Sequence, residues 1–429
     1  MPTSTAGALA HGTLDRLAEH YTDKLGLNWR RRAKLLASPC SDFADLADWD
    51  ARLDVALEAL RLLGPTAQQH MTRCLNLPIN AGEAFALLCH ALRSGLAGLA
   101  QATSAVARSL PGLHGALVAA MEWSEATPLW LQTAASLPLA ARFDLLATRH
   151  RDAPQLLAAA FDALRAEGPA SEALPAALRC LRYQGDAALA QAAVHHLDAG
   201  NSDRLRRVAA QAVLALAPPD LHAPAVTALL ALVEDEGPQR EAAARCLALH
   251  APASLFPLLT ALRQRPGGEA TTRLYLQSLG WAGDMGAVPR LIEQLDHPSH
   301  ARIAAASIRQ LTGLDPVRDG WQGEALVSGV APADDAQSST IPPPDPDAGL
   351  PWPSRPAFVA LWRHARARFI GAPTWLGGRP ATAGHLHDVL RHGPLAWRPL
   401  AAARLQRLGG GALLPTRLPA RAQAALMST

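Results

Sequence analysis

His385, Asp388 and His392 stand at i, i+3 and i+7, a spacing that would put two imidazoles and a carboxylate on one helix face, as a divalent-metal site requires. No fourth ligand falls in register and His387 points off that face, so solvated or capping histidines are the better reading. Gly280, Gly283 and Gly286 (GWAGDMG) resemble a phosphate-cradling loop, but they lie between two helical segments and not between a strand and a helix. An inter-helix turn is expected there. His297 and His300 flank a proline turn (HPSH), and loop polarity accounts for them; His195 and His196 close a helix, where imidazole suits the dipole. No G-x-x-x-x-G-K-[ST], G-x-G-x-x-G, G-x-S-x-G or H-E-x-x-H is present. The five cysteines, at 40, 74, 89, 180 and 246, are odd in number and widely spaced, which excludes a disulfide scaffold and the common zinc signatures. No catalytic, cofactor-binding or metal-binding residue is assigned, and no enzyme is expected.

What remains is charge. The net charge is +3, but residues 349–429 carry eleven Arg and a single acid, Asp388, for +10, which leaves −7 on residues 1–348. Arginine binds carboxylate, phosphate and aromatic faces better than lysine does. In the C-terminal segment Arg363, Arg366 and Arg379 accompany Trp362 and Trp375, with Trp352 and Trp397 nearby, so an acidic partner or a phosphate backbone could be held there with Trp as apolar anchors. The competing reading docks this end on the acidic body. A second series, Arg207, Arg240, Arg273 and Arg302, recurs once per repeat. It forms either a positive ladder for a partner (Arg240, Arg273 and Arg302) or a set of structural pairs with the recurring aspartates. The structural pairing is the favoured reading.

The elements that position these residues are helices. Apolar residues make up 49% and charged ones 18%, enough to bury a core; Ala and Leu dominate and β-branched residues are scarce. The fold class is all-α. Repeat starts fall at Asp152, Asp186, Asp220, Ser254 and Asp284, separated by 34, 34, 34 and 30 residues, and each unit splits into two helix-sized halves. Those five starts are expected to act as N-caps, and Pro154, Pro224, Pro257 and Pro289 to sit near first turns. Leu255, Leu258, Leu259 and Leu262, or Ile303, Ala304, Ile308 and Leu311, recur at helical spacing. One such pair cannot bury its apolar faces alone, so neighbours must stack, first helices lining one face and second helices the other.

The second-helix strings RRVAAQAVLAL, QREAAARCLAL and HARIAAASIRQLTGL resemble HEAT repeats, in particular the short bacterial type also seen in phycobilisome-lyase-like proteins. The resemblance implies an alpha solenoid over 152–315. Together with LNWRRRAKLLASPCSDFADLADWDARLDVALEALRLLG and RFIGAP…HLHDVLRHG, the array also resembles an uncharacterised bacterial HEAT-repeat family often found in type VI secretion gene neighbourhoods. That resemblance implies a cytoplasmic accessory role as adaptor, effector chaperone or immunity-like partner, and it carries over no catalytic residue. The expected organisation is an irregular helical cap over 1–151, the array over 152–315, a Pro-rich linker over 316–356 (eight Pro in 331–356) and a small basic helical module over 357–429. Residues 1–28 read as a short amphipathic lead-in, 42–63 as a helix with an Asp-rich start. No signal peptide is visible, and the longest apolar run, 223–233, is far short of the ~18 residues of a membrane span. The expected function is a non-enzymatic protein-binding scaffold in the cytoplasm; the alternative is nucleic-acid binding by the basic module.

Overall fold

The computed structural model describes residues 4–326, 345–409 and 411–428, with only the backbone for 4–11 and 189. The helices are α1 (Ser4–Leu36), α2 (Phe43–Leu63), α3 (Pro65–Cys74), α4 (Ala81–Arg93), α5 (Ala97–Arg108), α6 (His114–Trp123), α7 (Pro128–Ser136) and α8 (Leu139–Arg149). There follow α9 (Pro154–Glu167), α10 (Leu174–Gln184), α11 (Ala187–Ala192), α12 (Asp203–Leu216), α13 (His222–Glu234), α14 (Arg240–His250), α15 (Pro252–Arg263), α16 (Glu269–Ala282), α17 (Val288–Ile292) and α18 (Ala301–Thr312). The chain ends with α19 (Arg355–Ala365), a two-stranded hairpin of β1 (Trp375–Leu376) and β2 (Arg379–Pro380), then α20 (Ala383–His392), α21 (Arg398–Gly409) and α22 (Ala420–Ser428). The protein is all-α, as its composition demands. No helix among the described residues is long and apolar enough to cross a membrane.

Two compact units emerge: Met1–His196 with Ala215–Pro218 and His387–Thr429, and Leu197–Leu214 with Pro219–Leu386. The first is centred on α4, whose residues 84–92 are all buried because AFALLCHAL is apolar on every face. Asn80 caps α4, its side-chain oxygen accepting from Gly82 N (2.9 Å), while Glu83 accepts from Asn80 N (2.7 Å). α1 crosses α4 at Gly26 and Gly82, where a Cβ on Gly26 would come within 2.8 Å of the opposing backbone. α1 is 33 residues long, so the expected lead-in over 1–28 is instead the first part of a helix that continues through LNWRRRAKLL, a stretch with no breaker. The expected helix over 42–63 is α2, with Asp42 and Asp45 forming a capping box.

Within this unit Arg32 is buried beside Asp50 (2.6 and 3.1 Å) and donates to the carbonyls of Arg417 (2.9 Å) and Leu418 (2.8 Å). Asp50 in turn accepts from Ala420 N (2.7 Å). A buried pair is tolerated when further hydrogen bonds satisfy both ions, and here those bonds hold the segment before α22. The range 357–429 is therefore not one module by contact: residues from His387 onward belong with the first unit, and those before it with the second.

Each half of the five sequence units contains a helix, α9 to α18 in order. In the second unit α13 packs on α14, α15 on α16 and α17 on α18; α14, α16 and α18 also pack in series. The capping expectation holds at Asp284, which accepts from Gly286 N (2.8 Å). It fails at Asp152, which pairs with Arg149 while Ala153 stands at the N-cap of α9, and at Ser254, because α15 already begins at Pro252 and contains Pro257. A proline two residues earlier starts the helix equally well, since its missing N–H is an orphan there anyway.

His90 lies in the α4 core, 2% exposed, with Nε2 unpartnered, and burial pushes its pKa down to about 4. The unfolded chain takes up this proton near pH 6.5, the folded protein only near pH 4, so stability is full above that window and lost as pH falls through it. The unfolding midpoint should drop between pH 7 and 5 in the wild type, and the drop should shrink in His90→Leu.

Candidate functional site

The arginines of the repeat series are engaged within the second unit. Arg207 donates to Gln239 (2.6 Å) and Gln211 (2.8 Å); Arg240 donates to Thr271 Oγ1 (2.8 Å) and Val233 O (2.9 Å), with Glu236 at 3.3 Å. Arg273 holds the Asp347 carboxylate in two bonds (2.5 and 2.8 Å), and Arg302 donates to Asp347 O (3.0 Å) and Asp345 (2.8 Å). The favoured pairing with the repeat-start aspartates is thus corrected in its partners. Each of these arginines lies in the first turns of a second helix, and its side chain reaches the start of the next unit's second helix or residues 345–347 and not a first-helix aspartate.

Residues 345–354 are held by this pairing. Asp347 is 4% exposed, and its carboxylate favours the charged guanidinium, raising the Arg273 pKa. Asp345 accepts Asp347 N–H and an Arg302 bond, which hold its carboxyl below the usual range. The Arg302 guanidinium also lies 4.6 Å from the Trp352 ring centroid. Gly323 N donates to Trp352 O (2.8 Å) and Ser354 N to Trp321 O (2.7 Å), around a Trp321 that is wholly buried. The described ends of the expected 316–356 linker are therefore packed structure: Trp352, Asp345 and Asp347 have partners on the array, and Trp321 is buried against Phe358. Its centre, 327–344, lies outside the described residues.

Behind this return segment runs a chain of rings. Trp321 and Phe358 are 4.7 Å apart, Phe358 and Trp362 6.2 Å, Trp362 and Phe369 5.4 Å, and Phe369 and Trp375 5.5 Å. Trp362 is half-buried and stacked on both Phe358 and Phe369; Trp375 is buried and donates its backbone N–H to Gly283 O (2.8 Å). The hairpin then caps α18. Gly377 N donates to Gln310 O (2.6 Å) and Gly378 N to Leu311 O (2.9 Å), two carbonyls that the helix end leaves without partners of its own. His385 is buried with Nε2 2.7 Å from Leu376 O, so it braces the hairpin. Gly280 lies inside α16 against Ser307 of α18; of the three expected turn glycines, Gly283 is the left-handed C-cap. His300 is stacked on His297 (4.3 Å), and burial followed by the neighbouring His297 lowers its pKa.

Of the expected partner-binding residues, then, Arg240, Arg273, Arg302 and Trp375 serve the interior, and Trp362 is half-covered. Arg379 is exposed and has a partner interaction of its own. Arg363 and Arg366 are exposed, and their side chains make no hydrogen bond or ion pair among the described residues. Sequence reasoning passed over Asp345 and Asp347, the hairpin, and Arg368 and Ile370. The hairpin had a signal: two consecutive glycines in WLGGRP, both with positive φ (58° and 81°), are what a two-residue turn of mirror-image type requires. Phe358 and Trp362, at i and i+4, had one too, since that spacing keeps one helix face. Comparison with family models, with curated proteins and with solved structures finds no match for this chain.

A Cβ on Gly378 would collide with Thr312 O, whereas one on Gly349, also at positive φ (91°), meets open space. Gly378→Ala should destabilise the second unit by about 2–3 kcal/mol and Gly349→Ala by about 1 kcal/mol, measured by urea unfolding. Equal losses would show that the hairpin does not press on α18.

Proposed function

We propose that this chain is a non-enzymatic protein-binding scaffold built on a HEAT-like alpha solenoid and accessory to bacterial type VI secretion in the cytoplasm, as adaptor, effector chaperone or immunity-like partner. The observation that carries the scaffold reading is the serial packing of α14, α16 and α18, each with its own first helix, over sequence units of near-constant period. Pairs that stack in this way extend a surface and do not close a pocket, and extended surfaces suit protein partners. The secretion setting rests on the family resemblance of the N-terminal, array and C-terminal strings. The arrangement of arginines supports a protein partner taken elsewhere than along the repeat series, whose guanidinium groups already serve internal bonds.

Affinity capture of the tagged chain from its native host, read by mass spectrometry against a tag-only control, should enrich a secretion component or an effector. Enrichment of neither would count against the setting; recovery of no specific protein at all would count against the scaffold.

A further inference from the structure

The basic character of the C-terminal region separates into arginines that the fold occupies and arginines that it leaves in solvent. Arg355 pairs with Asp296 (2.7 Å), Arg391 donates to Met427 O (3.0 Å), and Arg421 donates to Trp123 O (2.5 Å). Arg398 is wholly buried, its Nε donating to Leu390 O (2.8 Å) and its guanidinium 4.4 Å from the Phe43 ring. Arg363 and Arg366 have no such engagement. They lie one helical turn apart at the end of α19, beside exposed His364, and Arg368 follows, exposed, with its guanidinium 5.6 Å from the Phe369 ring. From 349 to 387 the chain contains no carboxylate side chain at all.

An apolar element adjoins this cluster. Ile370 is 77% exposed and follows half-buried Phe369, which stacks on half-buried Trp362 (5.4 Å). The helix dipole accounts for cations in the last turn of α19, and Arg368 beyond the helix helps hold the Asp319 carboxyl low; neither accounts for a bare isoleucine beside them. A ligand for this surface must bring negative charge and an apolar side chain together. We infer that residues 363–370 are a docking surface for an acidic segment of a partner protein, Asp or Glu side chains on the arginines and an aliphatic or aromatic residue against Ile370. The inference rests on the scaffold reading and names its partner chemistry.

The ring geometry favours a peptide over a nucleic acid. Single strands bind by stacking bases on open aromatic faces, whereas Trp362 is half-buried and already stacked on two rings, Phe358 at an interplanar angle of 16° and Phe369 at 21°. A duplex would be held by phosphate contacts in greater number, typically about 6–10, than this cluster supplies. Carboxylates suit the guanidinium fork in two-bond pairs, and exposed pairs of this kind weaken with salt.

The test is fluorescence anisotropy on the full chain with a labelled peptide alternating Glu-Glu with Leu, a control with every Glu replaced by Gln, and a single-stranded DNA of equal charge. The acidic peptide should bind, the Gln peptide should not, and raising salt from about 50 to 300 mM should weaken binding. Arg363→Glu with Arg366→Glu should lower affinity at least about tenfold; Arg363→Gln with Arg366→Gln should lower it less, with thermal melts unchanged because neither side chain has a partner among the described residues. Absence of peptide binding, or equal binding by the Glu variant, would overturn the inference. So would tighter binding of the DNA with the same loss in the variant, which would assign the surface to nucleic acid. In the native host, equal capture of partners by wild type and Glu variant would refute this surface and leave the scaffold standing, whereas no capture by wild type would refute the scaffold itself.

Discussion

A carboxylate that is almost wholly buried needs a cation and hydrogen bonds, or it costs several kcal/mol. Asp347 has both, from Arg273 through its side chain and from Arg302 through its carbonyl. That single requirement fastens residues 345–354 to α16 and α18. Trp352 then lies on Arg302, Trp321 is enclosed, and α19 begins at Arg355, which finds Asp296. The ring chain from Trp321 to Trp375 follows from where α19 is placed, and with it the position of Arg363, Arg366 and Ile370. The exposed basic surface is thus a consequence of an internal ion pair two elements away.

The two arginine populations have opposite physical roles. Those of the repeat series lie near the starts of second helices and serve internal bonds, Arg240 to Thr271 of the next second helix and Arg273 and Arg302 to the return segment. The Arg363 and Arg366 side chains at the end of α19 meet neither carboxylate nor carbonyl among the described residues. Charge alone could not separate them in the sequence, because a guanidinium in a periodic position and one in an aperiodic position carry the same formal charge. The fold separates them through what lies within reach.

Much of the helical layout was legible from residue spacing. Every half of the five repeat units is a helix, α2 starts at the Asp-rich cap, and α20 follows Thr382, whose hydroxyl accepts from His385 N (3.4 Å). These are local signals, and local rules read them. The misses are long-range or weakly signalled. α1 runs through a stretch with no apolar period to announce it; α11 and α17 are cut to 6 and 5 residues although their sequence periods match the others. Asp345 and Asp347 stood in a Pro-rich stretch with no hydrophobic pattern, and nothing local shows that arginines 74 and 43 residues earlier would claim them. Of the candidate surface, the arginines and tryptophans were singled out, but their division into interior and exposed sets depends on packing that no spacing encodes.

The account stands or falls on the claim that the array arginines hold the fold together through the return segment. The most direct measurement is a double-mutant cycle of Arg273→Gln and Asp347→Asn, followed by urea unfolding with tryptophan fluorescence. A charge-assisted, two-bond pair in this setting should give a coupling of about 1.5–3 kcal/mol. A coupling near zero, with both single variants as stable as the wild type, would mean that the return segment is held by other forces and that Arg273 is available to a partner after all.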